Sequence, residues 1–257
     1  MKKETVSIVG CGWLGKALAK RLEKTHWVKA SVQSEESFNV LEIEKKYILN
    51  HENRFTKEAF YEADSLIISL PPRGAYLDNL ASIVKNVKLG TQLILLSSTS
   101  VYVQTSGVVR EESTKKLLNP NLMLQGERLV QKLFPSVLIL RLGGLMGYNR
   151  VAGKYTAGKV LEEDAPVNYL HRDDAVNIML LVMEKKIKAE VLNVTAQVDA
   201  SKREIYEYNS KKYGFEKTAF KSLNIVGKKV SSLKLLALLN YTFKYDSCET
   251  ICGGEGF

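Results

Sequence analysis

No stretch of this chain reaches the roughly 18 uninterrupted apolar residues of a membrane-spanning helix, which excludes a helical membrane protein. The apolar run behind the opening MKKET is too short for the core of a secretory signal and ends in glycines, so a cytoplasmic protein is expected. Cysteine is scarce. Cys11 lies in that glycine turn and Cys248 and Cys252 lie near the end of the sequence, which suits a reducing compartment. The cysteines and the three scattered histidines assemble no four-ligand set, and no metal is expected. Glycine–serine linkers, internal repeats and low-complexity blocks are also missing, so nothing marks a boundary between two freely folding domains.

What is present is an ordinary globular composition, 45% hydrophobic and 25% charged over 257 residues, enough for one sizeable core with an appendage. The net charge of +9 raises the question of nucleic acid. The lysines, however, come as dispersed pairs (Lys45-Lys46, Lys115-Lys116, Lys211-Lys212, Lys228-Lys229) without interleaved aromatics. Solvated helix faces account for them, and a small molecule is the expected partner rather than nucleic acid or membrane. Monomer and homodimer both stay open.

Apolar runs alternate with amphipathic ones. TVSIVG, WVKASV, SLIISLPP, TQLILLSSTS and SVLILRL read as strands; LGKALAKRLEK, YLDNLASIVKNV and LMLQGERLVQKLF read as helices. Continuously apolar strands with helical connections predict an α/β fold, a doubly wound parallel sheet of Rossmann type with ligands beyond the carboxyl ends of its strands. Residues 1–150 are read as a dinucleotide-binding domain. Residues 151–257 are read as a small C-terminal α/β cap that binds substrate and packs on the sheet, with helices in NYLHRDDAVNIMLLVMEKK (Asp173 as N-cap), SKREIYEYNSKKYG and VSSLKLLALLN.

The sharpest motif is Gly10-Cys11-Gly12-Trp13-Leu14-Gly15, a GxGxxG placed between a predicted strand and a predicted helix. In that context Gly10 permits a tight turn, Gly12 lets the backbone approach a pyrophosphate, and Gly15 lets the helix pack on the sheet with its N-terminal N–H groups toward the anion. A purely structural glycine turn is the alternative. An acidic residue about 20 positions further on would take the ribose hydroxyls of NAD. None stands there: Ser31, Val32, Gln33 and Ser34 are neutral, and Glu35 and Glu36 already belong to the next helix. Gln33 and Ser34 tolerate a 2′-phosphate, so NADP is expected, with NAD left open.

Taken in order from about residue 5 to about residue 245, GCGWLG, SLPP, SSTSVY, LRLGGLMG and NYLHRDDA resemble the NAD-dependent epimerase/dehydratase family. This is the extended branch of the short-chain dehydrogenase/reductases, and the likeness is greatest to its atypical, compact bacterial members. The resemblance implies that Trp13 and Leu14 face the cofactor with the glycines and that Pro71 and Pro72 lie in a loop covering it. Arg73 then meets a phosphate or an anionic substrate, or is a solvated loop arginine. Ser98, with Thr99 and Ser100 able to substitute, falls on the residue that hydrogen-bonds the substrate oxygen; such hydroxyls also satisfy backbone at strand ends. Tyr102 is a substrate-contact candidate. His171 and Asp173 match a histidine and an aspartate for which capping and tethering are favoured.

The departure is at the catalytic pair. In the family a Tyr and a Lys lie on the helix between strands five and six, where the Lys fixes the nicotinamide ribose and lowers the Tyr pKa. Glu127 of QGERLV resembles the acidic residue after that lysine, which puts Asn119 and Met123 at the two positions. No Tyr occurs between Val103 and Gly147. Tyr155 and Lys159 of KYTAGK have the spacing but follow LRLGGLMG, so Tyr155 is expected near the substrate rather than on the catalytic helix. The implied activity is hydride exchange with a small polar substrate, a sugar or nucleotide sugar included, with Ser98 polarising the oxygen. The rival is a non-catalytic NADP-binding sensor or scaffold.

Overall fold

The computed structural model describes residues 3–103, 106–115, 117–222 and 224–254. The chain begins with β1 (Thr5–Val9), α1 (Trp13–Leu22), β2 (Trp27–Val32), α2 (Glu35–Asn39), β3 (Lys45–Ile48) and α3 (Glu58–Tyr61). It continues through β4 (Ser65–Ile68), α4 (Tyr76–Asn86), β5 (Gln92–Ser98), β6 (Gly107–Val109), α5 (Leu122–Leu133) and β7 (Leu138–Leu142). Then follow β8 (Gly144–Met146), β9 (Val160–Leu161), β10 (Tyr169–His171), α6 (Arg172–Glu184) and β11 (Val191–Val194). The last elements are α7 (Lys202–Tyr213), β12 (Ala219–Phe220), β13 (Lys228–Val230) and α8 (Leu233–Leu239).

Seven strands form one parallel sheet in the order β11-β7-β5-β4-β1-β2-β3. Every residue of β4 and of β7 is buried, the expected consequence of covering a parallel sheet on both faces. The chain runs outward from β1 to β2 and β3, then returns to β4 on the other side of β1. Connections diverge at the carboxyl ends of β1 and β4, and a doubly wound sheet opens its crevice there.

The chain divides into two interleaved compact units. One comprises Met1–Ser97, Leu117–Arg141 and Val176–Val191; the other comprises Ser98–Lys116, Leu142–Ala175 and Leu192–Phe257. In the first unit α1 buries Leu14, Leu18, Ala19 and Leu22, and α4 and α5 meet at Gly126, where a Cβ would come within 2.6 Å of the Tyr76 ring. The same unit holds a buried charge cluster. The Arg141 guanidinium donates to the Glu127 carboxylate through Nε (3.0 Å) and Nη2 (2.7 Å), while Ser97 Oγ donates to Glu127 Oε1 at 2.5 Å. These bonds tie α5 to β5 and β7.

The second unit carries three two-stranded parallel pairs, β6 with β13, β8 with β10 and β9 with β12. With two or three residues to each strand, none leaves a periodic signal in the sequence. Helix α6 starts at Arg172, so Asp173 stands inside its first turn and is not the N-cap that the sequence suggests. Its carboxylate instead accepts from the hydroxyls of Tyr148 (2.8 Å) and Tyr245 (3.4 Å). Helix α7 ends as expected at Gly214, in the left-handed conformation at φ 69°.

Candidate functional site

In the first unit the turn between β1 and α1 borders a cavity of about 450 Å³. The three glycines have three different surroundings. Gly10 has φ +82°, and a Cβ on it would lie 2.5 Å from the Ser69 carbonyl oxygen. Gly15 is packed: its Cβ would stand 3.3 Å from Gly10 O and 3.5 Å from Ile8. Gly12 has open space, nothing within 4 Å of a Cβ, and it borders the cavity. The turn is held from below by β2, with Cys11 N donating to Ser31 O at 2.7 Å and Gly10 N to Ser31 Oγ at 3.4 Å.

Helix α1 points its start at this space. Gly12 is its N-cap, no side chain caps it, and no acidic residue occupies its first turn. The positive end of the helix therefore has no carboxylate to compensate it, which suits an incoming anion. Lys16 also lines the cavity and carries the only charge on its described lining. Sequence reasoning passed over Lys16, although a position four after Gly12 shares its helical face. Cys11 lines the cavity too, but burial pushes its thiol up to about 11, with the Lys16 charge opposing weakly, so it stays protonated and inert.

Among the expected cofactor residues, Gly10, Gly12, Trp13, Gln33 and Pro71 come together on this cavity. Leu14 and Gly15 are buried behind it. Gln33 is shared with a second cavity of about 1000 Å³, lined also by Ser34, Glu35, Lys46 and Lys57. Ser34 caps α2, its Oγ accepting from Ser37 N at 3.3 Å and donating to Ser37 Oγ at 3.1 Å. Pro72 and Arg73 lie exposed beyond the cavity rim.

On α5, Met123 is buried and its sulfur accepts a hydrogen bond from Tyr76 OH at 3.5 Å. Burial, reinforced by the Glu127 charge, pushes that phenol up to about 12. It cannot exchange a proton near neutral pH.

The second unit holds Ser98, Thr99, Tyr102 and Tyr155. Ser98 Oγ accepts from Ser100 N at 3.1 Å and so caps the 3₁₀ turn Thr99–Val101, as the strand-end alternative anticipated; its own proton stays available to donate. Thr99 is buried. Tyr102 is buried, donates to Asn193 Oδ1 at 2.7 Å, and borders a cavity of about 630 Å³. Tyr155 is 77% exposed, on the 3₁₀ turn Lys154–Thr156, and does not line that cavity.

His171 is buried in the same unit and tethers the C-terminal segment. Its Nε2 lies 2.9 Å from Gly253 O, its Nδ1 accepts from Asp173 N at 3.1 Å, and its ring stacks on Tyr245 with centroids 3.6 Å apart. Neighbouring Asp174 accepts from Tyr241 OH at 2.6 Å and from the backbone of Lys244 and Tyr245. With the Nδ1 lone pair committed, only the neutral ring fits.

Burial lowers the His171 pKa from its ordinary 6.5, outweighing the Gly253 carbonyl and the carboxylates of Asp173 and Asp174, while Arg172 adds to the lowering. The unfolded chain takes up a proton near pH 6.5 that the folded chain refuses. This stability is therefore complete above that pH and is lost as pH falls through the folded value, by at most about 1.4 kcal/mol per pH unit. The expected result is a melting temperature that falls between pH 7 and pH 5 more steeply in the wild type than in His171→Asn. Equal slopes would remove His171 from the account.

No family model matches the chain. It is 28% identical over 275 aligned residues to protein YeeZ of Escherichia coli strain K12, covering 95% of this chain and 97% of that protein. A Methylobacillus flagellatus structure assigned provisionally as an NAD-dependent epimerase/dehydratase superposes with a TM-score of 0.76 at 21% identity, covering 95% of this chain and 94% of the other. UDP-glucuronic acid 4-epimerase from Bacillus cereus in complex with NAD gives 0.71 at 18% identity, covering 96% and 98%. These likenesses establish a Rossmann-like α/β fold.

Proposed function

We propose that the chain binds a nicotinamide dinucleotide, NADP in preference to NAD, and acts as an epimerase/dehydratase-like oxidoreductase on a small polar substrate of the sugar or nucleotide-sugar class. The observation that carries this reading is the division of labour among Gly10, Gly12 and Gly15 around a cavity at the crossover of the sheet. A structural turn would not require open space above Gly12. That gap, the uncompensated start of α1 and Lys16 together fit a pyrophosphate. The neutral Gln33 and Ser34 support the preference for a 2′-phosphate; the neighbouring cavity balances Lys46 and Lys57 against Glu35 and Glu52 and adds nothing to it.

When bound, the dinucleotide supplies hydride exchange with a carbonyl or alcohol carbon. The chain's own contribution is to hold the pyrophosphate at Gly12 and Lys16, and to offer the Ser98 hydroxyl to the substrate oxygen. With Asn119 and Met123 at the positions of the family's Tyr and Lys, no side chain there passes a proton. Turnover should fall by roughly the 10²–10⁴-fold that a positioned acid supplies. The occupation of the lysine position by a buried methionine also favours a second reading, a dinucleotide sensor without turnover.

Calorimetric titration tests the reading. NADPH should bind more tightly than NADH, with slow oxidation of NADPH across a panel of aldehydes, ketones and nucleotide sugars. Tighter NADH would mean that Glu35 reaches the ribose, and absence of both affinities would end the dinucleotide assignment. Binding with no turnover on any substrate selects the sensor.

A further inference from the structure

The 630 Å³ cavity of the second unit has a lining that the dinucleotide reading does not use. Two lysines, Lys202 and Lys228, line it beside Tyr102, Ser106, Asn168 and Tyr169, and no carboxylate does so among the described residues. We propose that this cavity is an oxyanion site, receiving the phosphate or carboxylate group of a small ligand with Lys202 and Lys228 as its cationic donors. The site shares no residue with the cavity above the glycine turn, so either assignment can fail while the other stands.

The treatment of neighbouring lysines supports this. Lys229 turns to Asp199 at 3.3 Å, Lys221 to Glu162 at 2.7 Å, and Lys211 and Lys217 both to Glu207. Lys228, one residue from Lys229, has no such carboxylate among the described residues. Its ammonium donates to the main-chain oxygen of Tyr102 and lies 5.9 Å from the centre of that ring. The site is partly buried, and desolvation holds the lysine below the ordinary lysine range. A partly desolvated cation with no carboxylate partner among the described residues is less favourable than a paired one, and an anion in the cavity would relieve part of that cost.

The frame around the two lysines is fixed. Asn168 Nδ2 donates to Lys228 O at 2.9 Å, and Asn168 Oδ1 accepts from Val230 N at 2.7 Å. Lys202 opens α7, its N–H donating to Ala165 O at 2.8 Å. The nearby buried carboxylate, Asp164, accepts from Ala165 N and Arg203 N through Oδ1, and its Oδ2 lies 3.6 Å from Arg203 Nε; neither lysine is ion-paired to it among the described residues. Ser201 and Glu204 complete the capping box of α7, so attraction for an anion rests on the ammonium groups rather than on the helix end.

The test is calorimetric titration of the full chain at pH 7 and low salt with inorganic phosphate and, separately, with malonate. The ¹⁵Nζ signal of Lys228 is followed by NMR in parallel. One or both anions should bind and shift that signal; the tighter of the two identifies phosphate or carboxylate as the natural group. Lys228→Met and Lys202→Met should each weaken binding about tenfold to a hundredfold, as expected for a lost charged hydrogen bond. Lys228→Arg should retain most of it, and NADPH affinity should be unchanged in all three. Should Lys228→Met fail to fold for want of its bond to Tyr102, Lys202→Met carries the test, because that ammonium makes no bond among the described residues. No binding of either anion at tens of millimolar would overturn the proposal. Binding that leaves the Lys228 signal and both methionine variants unaffected would do the same, by placing the anion at the glycine turn.

Discussion

Arg141→Met should destabilise the protein by about 3–5 kcal/mol, the largest loss expected of any single change outside the backbone turns. Glu127 and Arg141 are 1% and 3% exposed, and removing the guanidinium leaves a carboxylate in the interior with the Ser97 hydroxyl as its main remaining partner. Water cannot reach it, so the desolvation of the charge goes uncompensated. In thermal unfolding the midpoint should drop by on the order of ten degrees. The double variant Glu127→Leu/Arg141→Met should recover much of that loss, because an apolar pair in the same space has no charge to satisfy. A single variant within about 1 kcal/mol of wild type would show that the cluster is solvated in solution.

Gly12→Val should weaken NADPH binding by at least about a hundredfold while the protein stays folded. Both halves follow from the surroundings of Gly12. Its backbone is extended (φ −82°, ψ −154°), a conformation valine adopts readily, and nothing lies within 4 Å of the new Cβ. The side chain therefore meets no protein atom and fills the space assigned to the pyrophosphate. Gly10→Val is the contrast: at φ +82° and 2.5 Å from Ser69 O it should unfold the turn itself. Titration and a melting curve on each variant separate the two effects. Undiminished NADPH affinity in folded Gly12→Val would sink the dinucleotide assignment.

Much of the architecture was legible because its signals are local. The strands from β1 to β7 with at least four residues, β3 excepted, and the helices α1, α4 and α5 stand where apolar runs and 3.6-residue periodicity place them. The buried face of α6, Ala175, Ile178, Met179 and Val182, is the one that periodicity selects. Where a signal needed length, it failed: α3 has four residues and the paired strands of the second unit have two or three. The first residue of α6 was misjudged for another reason. Asp173 has the chemistry of an N-cap, but two tyrosines distant in sequence, Tyr148 and Tyr245, draw its carboxylate away from the helix end.

The candidate site divides in the same way. GCGWLG could be read residue by residue because each glycine answers to a requirement of its own backbone or its nearest neighbours, and chain order alone put Tyr155 after the strand LILRL rather than on α5. By itself the sequence determined the sheet, the glycine turn and the absence of a Tyr–Lys pair on α5. Only the tertiary structure decided that Lys16 borders the glycine-turn cavity, that Met123 faces a phenol, and that Lys202 and Lys228 share a cavity without carboxylates among its described residues. Helix and strand propensities act over a few neighbouring residues. A cavity gathers side chains from distant segments, and whether a lysine there is paired depends on which carboxylates the fold carries elsewhere.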